Sequence, residues 1–263
     1  MASAAVENET VKAEGTRSRG LDRAFDILDF LANARRAMRP NEIALELGAP
    51  RSTVYDLTAL LVRRGFLEEV GDGRLFLGDR LHILGAAYDA LSSRQKAIEA
   101  ALGRIVEDTQ ETAQFCRLDG DKYIVVTARD GTRPFRITTN IGHRVPLTWT
   151  ASGRLLVDHL DAAGIAAFVP PEDFALPDGR PIDRAAFGSE VEIAKAVGHF
   201  TFDSTLDSYT HCFAVPVRSP AGRAEATLCI VAPREDAYRN HAAYLASLKQ
   251  AAAQISPFFA KPG

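Results

Sequence analysis

Apolar residues recur at helical spacing from position 21 onward. Leu21, Ala24, Leu28 and Leu31 fall on one face, with Asp22, Asp26 and Asp29 opposite, which predicts a first amphipathic helix. Pro40 suits the first turn of a second helix over 41–47, and Gly48 suits its C-terminal cap. After the turn Ala49-Pro50-Arg51 a third helix is expected over about 52–64, with Arg51 or Ser52 near its N-cap. Two short apolar runs, 66–70 and 74–77, are joined by Gly71-Asp72-Gly73, a hairpin signal. Leu81, Leu84, Tyr88 and Leu91 then follow at steps of three, four and three. That is a seam along which two helices can pair, and a solvated linker would not need it. Ile98, Leu102 and Ile105 carry a further helix.

From Thr112 the period changes. Residues 112–118 and 123–128 alternate as strands around the turn Asp119-Gly120-Asp121, and 135–139, 200–202, 212–217 and 226–231 are further strand candidates. Helices are expected at about 150–160, 184–197 and 236–255. Strands and helices mix without strict βαβ alternation, so the expected class is α+β with an antiparallel sheet.

Composition narrows the function classes. A chain of 263 residues with 25% charged positions can build a core and is long enough for two domains. The net charge of −3 excludes a protein that coats nucleic acid by bulk charge, but leaves a local reader open. No apolar run approaches the roughly 18 residues that span a bilayer. Residues 1–15 lack the basic start and apolar stretch of a signal peptide. Cys116, Cys212 and Cys229 are odd in number and far apart, without metal-ligand spacing. The expectation is a cytoplasmic protein with reduced thiols, no membrane association, no metal and no cofactor.

Helix, helix, glycine turn, helix and hairpin is the order of a winged helix-turn-helix. Val54, Leu57 and Leu61 form the inner side of the third helix, leaving Ser52, Tyr55, Asp56, Ala59 and Arg63 for a major groove. Arg51, Ser52 and Thr53 stand at its N-terminus, where free N–H groups favour phosphate. Arg51 and Tyr55 are candidates for base edges, and Asp56 for a cytosine amino group. Arg63 and the wing residue Arg74 can reach flanking phosphates, and Arg17 and Arg19 lie on an arm suited to the minor groove. A protein-interaction module has the same helical pattern, and periodicity alone leaves it open.

Several stretches resemble the IclR family of transcriptional regulators: Gly20-Leu21-Asp22-Arg23-Ala24-Phe25-Asp26-Ile27-Leu28, Glu42-Ile43-Ala44, and Gly48-Ala49-Pro50-Arg51-Ser52-Thr53-Val54-Tyr55-Asp56-Leu57. Arg64-Gly65-Phe66-Leu67-Glu68 and Leu77-Gly78-Asp79-Arg80-Leu81 resemble its wing region. Val145-Pro146-Leu147, Thr150-Ala151-Ser152-Gly153-Arg154-Leu155-Leu156 and Cys212-Phe213-Ala214-Val215-Pro216-Val217 resemble its effector domain. The resemblance implies a GAF-like C-terminal domain and dimers through the N-terminal half, often paired into a dimer of dimers. It also implies metabolite control of a catabolic operon, more often by repression, sometimes by activation. The expected layout is a disordered leader over 1–16 and a DNA-binding domain over 17–80. A linker or dimerisation helix over 81–95 and an effector domain over 96–263 complete it. The partners are a near-palindromic double-stranded operator and a small-molecule effector, a carboxylate by preference. The chain departs from the family pattern at Ser204-Thr205-Leu206, where acidic residues are usual, and at Trp149, Cys229 and Val231.

An effector pocket needs an apolar wall and a few placed polar groups. Thr150, Ala151 and Ser152 open a helix whose free N–H groups and hydroxyls can hold a carboxylate. The resemblance places Cys212 and Cys229 on the same cavity. Asp203 is a candidate acceptor, and Ile137, Val145, Trp149 and Thr210 are candidates for the wall. Each also has a structural role open to it: Ser152 as a helix cap, Trp149 as core, the cysteines as small strand residues. No catalytic residue is expected. His211 and Cys212 are neighbours on one strand and so point to opposite faces.

Overall fold

The computed structural model describes residues 20–134 and 136–260. The chain forms two compact units, Met1–Leu91 and Ser92–Gly263.

The N-terminal unit runs α1 (20–34), α2 (Pro40–Glu46), α3 (Arg51–Arg63), β1 (Leu67–Glu69), β2 (Leu75–Leu77) and α4 (Asp79–Leu91). Its core gathers Ile27 and Leu31 of α1 with Met38, Ile43, Val54, Leu61, Leu67 and Leu75. Each such fully buried side chain contributes roughly 1.5–3 kcal/mol. The buried face of α1 is therefore centred on Ile27 and Leu31, while Leu21, expected on that face, stays exposed. Pro50 takes the N-cap position of α3 without a side-chain cap bond. Arg51, Ser52 and Thr53 thus form the first turn, and neither Arg51 nor Ser52 is the cap. The hairpin pairs Leu67 with Leu77 and Glu69 with Leu75. Gly71, Asp72 and Gly73 all adopt positive φ in its turn, which suits two glycines around an aspartate. At Gly78 an added Cβ would lie 2.4 Å from the Gly65 carbonyl oxygen, so the chain can leave the wing only through a glycine. No residue of α4 is buried: Leu84 and Tyr88 are 45% and 52% exposed, and Leu91 is 91% exposed.

The C-terminal unit opens with α5 (Ser93–Thr109), followed by β3 (Thr112–Asp119), β4 (Lys122–Arg129) and β5 (Arg144–Pro146). Next come α6 (Ala151–Leu156), α7 (Ala162–Phe168), α8 (Arg184–Val197), β6 (Phe200–Asp203), β7 (Thr210–Arg218) and β8 (Ala224–Pro233). The unit closes with α9 (Arg234–Arg239) and α10 (His241–Ile255). The six strands form one sheet in the order β5-β4-β3-β8-β7-β6, antiparallel throughout. Alternation along β7 sends Phe213, Val215 and Val217 into the core under α5 and α10, with Ile105 and Leu248. Cys212 and Ala214 point the other way, to the core under α6 and α8, with Leu155, Phe187 and Val191.

Two expectations change. Residues 136–140 form no strand, and the strand that pairs with the outer edge of β4 is instead β5, which sets Pro146 against Lys122 and Arg144 against Ile124; Phe135 lies outside the described residues. The helix expected over 236–255 is two helices, broken at Asn240, whose side-chain amide donates to the Asp236 carbonyl at 3.0 Å.

Candidate functional sites

In the N-terminal unit, α3 has the two faces that a groove-reading helix requires. Val54, Thr58 and Leu61 are buried. The Thr58 hydroxyl donates to Val54 O at 2.8 Å, which is how a polar side chain enters this core. Arg51, Ser52, Tyr55, Asp56, Ala59 and Arg63 are exposed and Thr53 is half-buried. Because Pro50 offers no side-chain cap, the first-turn N–H groups remain available to an anion. Between α3, the start of α2 and the wing lies an open cleft of about 600 Å³, lined by Tyr55, Ala59, Arg63, Arg39 and Gly73. Tyr55 and Arg63 therefore share one concave surface with the wing. Arg74 is exposed on the wing. Arg39 escaped the sequence reading; its Nε donates to Asp72 O at 3.0 Å and ties the wing turn to the start of α2. Its signal was the Arg-Pro step that opens α2. Arg17 and Arg19 lie outside the described residues.

In the C-terminal unit, Val145, Ala151, Cys212 and Cys229 meet in or against one cluster under α6 and α8, together with Cys116 and Tyr123. Ser152 joins them through hydrogen bonds. Its Oγ meets Cys229 Sγ at 2.8 Å and accepts from Thr227 Oγ1 at 2.8 Å. Ser152 therefore joins α6 to the sheet, and the helix cap is Thr150, whose hydroxyl accepts from Gly153 N at 3.0 Å. A polar chain continues across β3 and β4. Cys116 Sγ meets Tyr123 OH at 2.9 Å, Tyr123 OH donates to Gln114 Oε1 at 3.2 Å, and Gln114 Nε2 donates to the Thr139 hydroxyl. Gln114, Tyr123 and Thr227 were not singled out from the sequence, and Cys116 was read there only as a reduced thiol. Period-two counting on β3 puts Gln114 and Cys116 on one face, and that was the available signal. Burial pushes the Cys116 thiol up, and pushes Cys212 up to about 12, so both are neutral thiols at pH 7.

The remaining candidates are not drawn into this cluster. Trp149 turns to the 171–181 segment, where its Nε1 donates to Ala175 O at 2.9 Å. The Thr210 hydroxyl donates to Asp207 Oδ2 at 2.7 Å. Ile137 is half-buried in the irregular 136–140 segment. Asp203 sits on the opposite face from Cys212. It pairs in register with His211, accepts from that imidazole at 2.8 Å and takes the Tyr238 hydroxyl at 2.7 Å. These bonds, from His211 first and Tyr238 second, hold its carboxyl below the usual range. His211 is thereby placed against Phe213 and Tyr238, away from the Cys212 thiol.

Residues 20–71 match the family model for the IclR helix-turn-helix domain, and residues 91–257 match the bacterial transcriptional regulator IclR C-terminal model. The chain belongs to the IclR family. IclR proteins are transcription regulators and not enzymes. The chain is similar to the HTH-type transcriptional regulator KipR of Bacillus subtilis, 24% identical over 82% of this chain and 87% of that protein. It is also similar to the acetate operon repressor of Salmonella typhimurium, 22% identical over 57% of this chain and 56% of that protein. Among solved structures, its fold resembles that of an IclR homologue from Microbacterium hydrocarbonoxydans in complex with 4-hydroxybenzoate. The TM-score is 0.75 and the identity 22%, over 90% of this chain and 98% of that one. Among the described residues no helix is long and apolar enough to cross a membrane.

Proposed function

We propose that this IclR regulator is a cytoplasmic repressor of a catabolic operon, released or engaged by a small organic acid bound in its C-terminal unit. The observation that carries the reading is the outer side of α3: an uncapped first turn with Arg51, Tyr55 and Arg63 exposed beside the wing. The repressor Salmonella relative and the 4-hydroxybenzoate complex support the sign and the ligand class. The layered antiparallel sheet supports a GAF-like sensor, with Val145, Ala151, Ser152, Cys212 and Cys229 at its ligand.

A salt series on the operator tests the DNA reading. Contacts to phosphates release counterions, so affinity should fall by roughly 10³-fold or more between 50 and 200 mM salt. Affinity that is flat with salt would refute it. The exposed apolar side of α4 supports a homodimer, itself able to pair into a tetramer, that sets two α3 helices on a near-palindromic site. Replacing Leu84 and Tyr88 together by glutamate should shift sedimentation to the monomer and cut operator affinity sharply. An unchanged dimer in that variant would place the interface elsewhere.

A further inference from the structure

A second cavity, of about 650 Å³, opens in the C-terminal unit between α8, the 176–183 segment and the 204–208 loop. None of the residues expected to hold an effector lines it. Leu176, Ile182, Phe187, Phe202 and Leu206 give it apolar walls, and three arginines reach it: Arg154, Arg180 and Arg234.

The three cations differ in what they still offer. Arg154 is buried and engaged. Nε and Nη2 donate to Glu190 Oε2 at 3.0 and 2.7 Å, and Nη1 to the Thr148 and Thr150 carbonyls at 2.7 and 2.8 Å. Phe187, Phe200 and Phe202 surround its guanidinium. Arg180 and Arg234 hold consecutive carbonyls of the loop instead. Arg180 Nη2 donates to Thr205 O at 3.2 Å and Arg234 Nη2 to Ser204 O at 3.4 Å. Arg180 also pairs through Nε with Asp178 at 2.6 Å. Arg234 Nε meets Thr210 O at 3.3 Å and Asp203 at 3.5 Å. Neither Nη1 has a hydrogen-bond partner among the described residues. The carboxylates at the cavity are turned elsewhere: Glu190 to Arg154, Asp183 to Ala185 N in the cap of α8, and Asp207 to Tyr209 N, Thr210 N and the Thr210 hydroxyl. Two guanidinium groups thus converge on a neutral stretch, Ser204-Thr205-Leu206, above an apolar floor.

We propose that this cavity is a second small-molecule site, taking an organic anion whose carboxylate or phosphate sits between Arg180 and Arg234 and whose apolar body rests on Phe187 and Phe202. Binding exchanges two neutral carbonyl acceptors for a charged one, and charge-assisted hydrogen bonds are roughly twice as strong. The exchange frees Ser204 and Thr205 from their clamp.

Calorimetric titration of the full chain with benzoate, phenyl phosphate and neutral benzamide tests the site directly, without DNA. At least one anion should bind, and benzamide should bind about tenfold more weakly or not at all. The tighter headgroup then tells carboxylate from phosphate. Arg180→Gln and Arg234→Gln should each weaken that event about tenfold. Arg180 is exposed, so its variant should stay folded. Val145→Trp, which blocks the thiol-lined cluster, should leave the arginine-dependent event in place. Three results would each overturn the proposal: no anion bound, benzamide equal to benzoate, or binding lost in Val145→Trp and intact in both arginine variants. None of them bears on the DNA reading of α3, which the operator titration decides separately.

Discussion

Replacing Arg51 and Tyr55 together by alanine is expected to weaken operator binding by more than a hundredfold while leaving the melting temperature of the N-terminal unit nearly unchanged. Both side chains are exposed on α3, and the core beneath is made by Val54, Thr58 and Leu61. Removing them therefore opens no cavity, and surface changes of this kind usually stay within about 0.5 kcal/mol of stability. Their contribution to binding is another matter. A side chain that reads a base edge is worth about 1–3 kcal/mol, so two of them together approach about 3 kcal/mol or more. Fluorescence anisotropy on an operator duplex, with circular dichroism on the same samples, checks both halves. An intact footprint from a folded double variant would mean that α3 does not read the DNA.

The second large effect concerns Gly153. A Cβ there would lie 1.9 Å from the Leu147 carbonyl oxygen and 2.6 Å from its carbon. Both are backbone atoms and cannot rotate away. Gly153→Ala must push α6 off the turn before it, and overpacking of this kind costs about 1–3 kcal/mol or more. Differential scanning calorimetry should show the C-terminal unit melting about 6–12 °C lower for a loss near 3 kcal/mol. The shift also carries Thr150, Ala151 and Ser152 away from Cys229, so any effector bound there should weaken with it. Gly188→Ala is the internal control: it lies in α8 with open space around it, and should be neutral or slightly stabilising. Equal melting points for the two variants would show that the α6 contact is looser than the backbone indicates.

What local patterning reveals and what it hides can be seen in single residues. The inner face of α3 is legible from Val54 and Leu61, because a helix puts every third or fourth residue on one side. Thr58 on the same face is not, since its burial depends on a hydroxyl bonded back to the helix. The wing is legible from Gly71 and Gly73, whose positive φ few other residues tolerate. The face of Asp203 is hidden, because it follows from the pairing of β6 with β7. That register sets Phe202 opposite Cys212 and Asp203 opposite His211, and one residue of slip would exchange the two faces. The Gln114–Thr139 contact joins a β3 residue to the irregular segment after β4, 25 positions on, and no periodicity encodes it. Family motifs pointed to the start of α6, but the division of labour between Thr150 as cap and Ser152 as strut needed the packed sheet.

At the proposed effector site, the hydrogen-bonded chain that runs from Thr139 through Gln114 and Tyr123 to Cys116, with Ser152, Cys229 and Thr227 alongside, would act as a chemical filter. A guest that wedges into it must replace each contact it breaks, or leave a buried donor stranded at about 1–3 kcal/mol apiece. Plain hydrocarbons have nothing to offer in exchange. Oxygenated molecules do, so this floor should admit a hydroxylated compound and turn away its deoxygenated twin of the same shape.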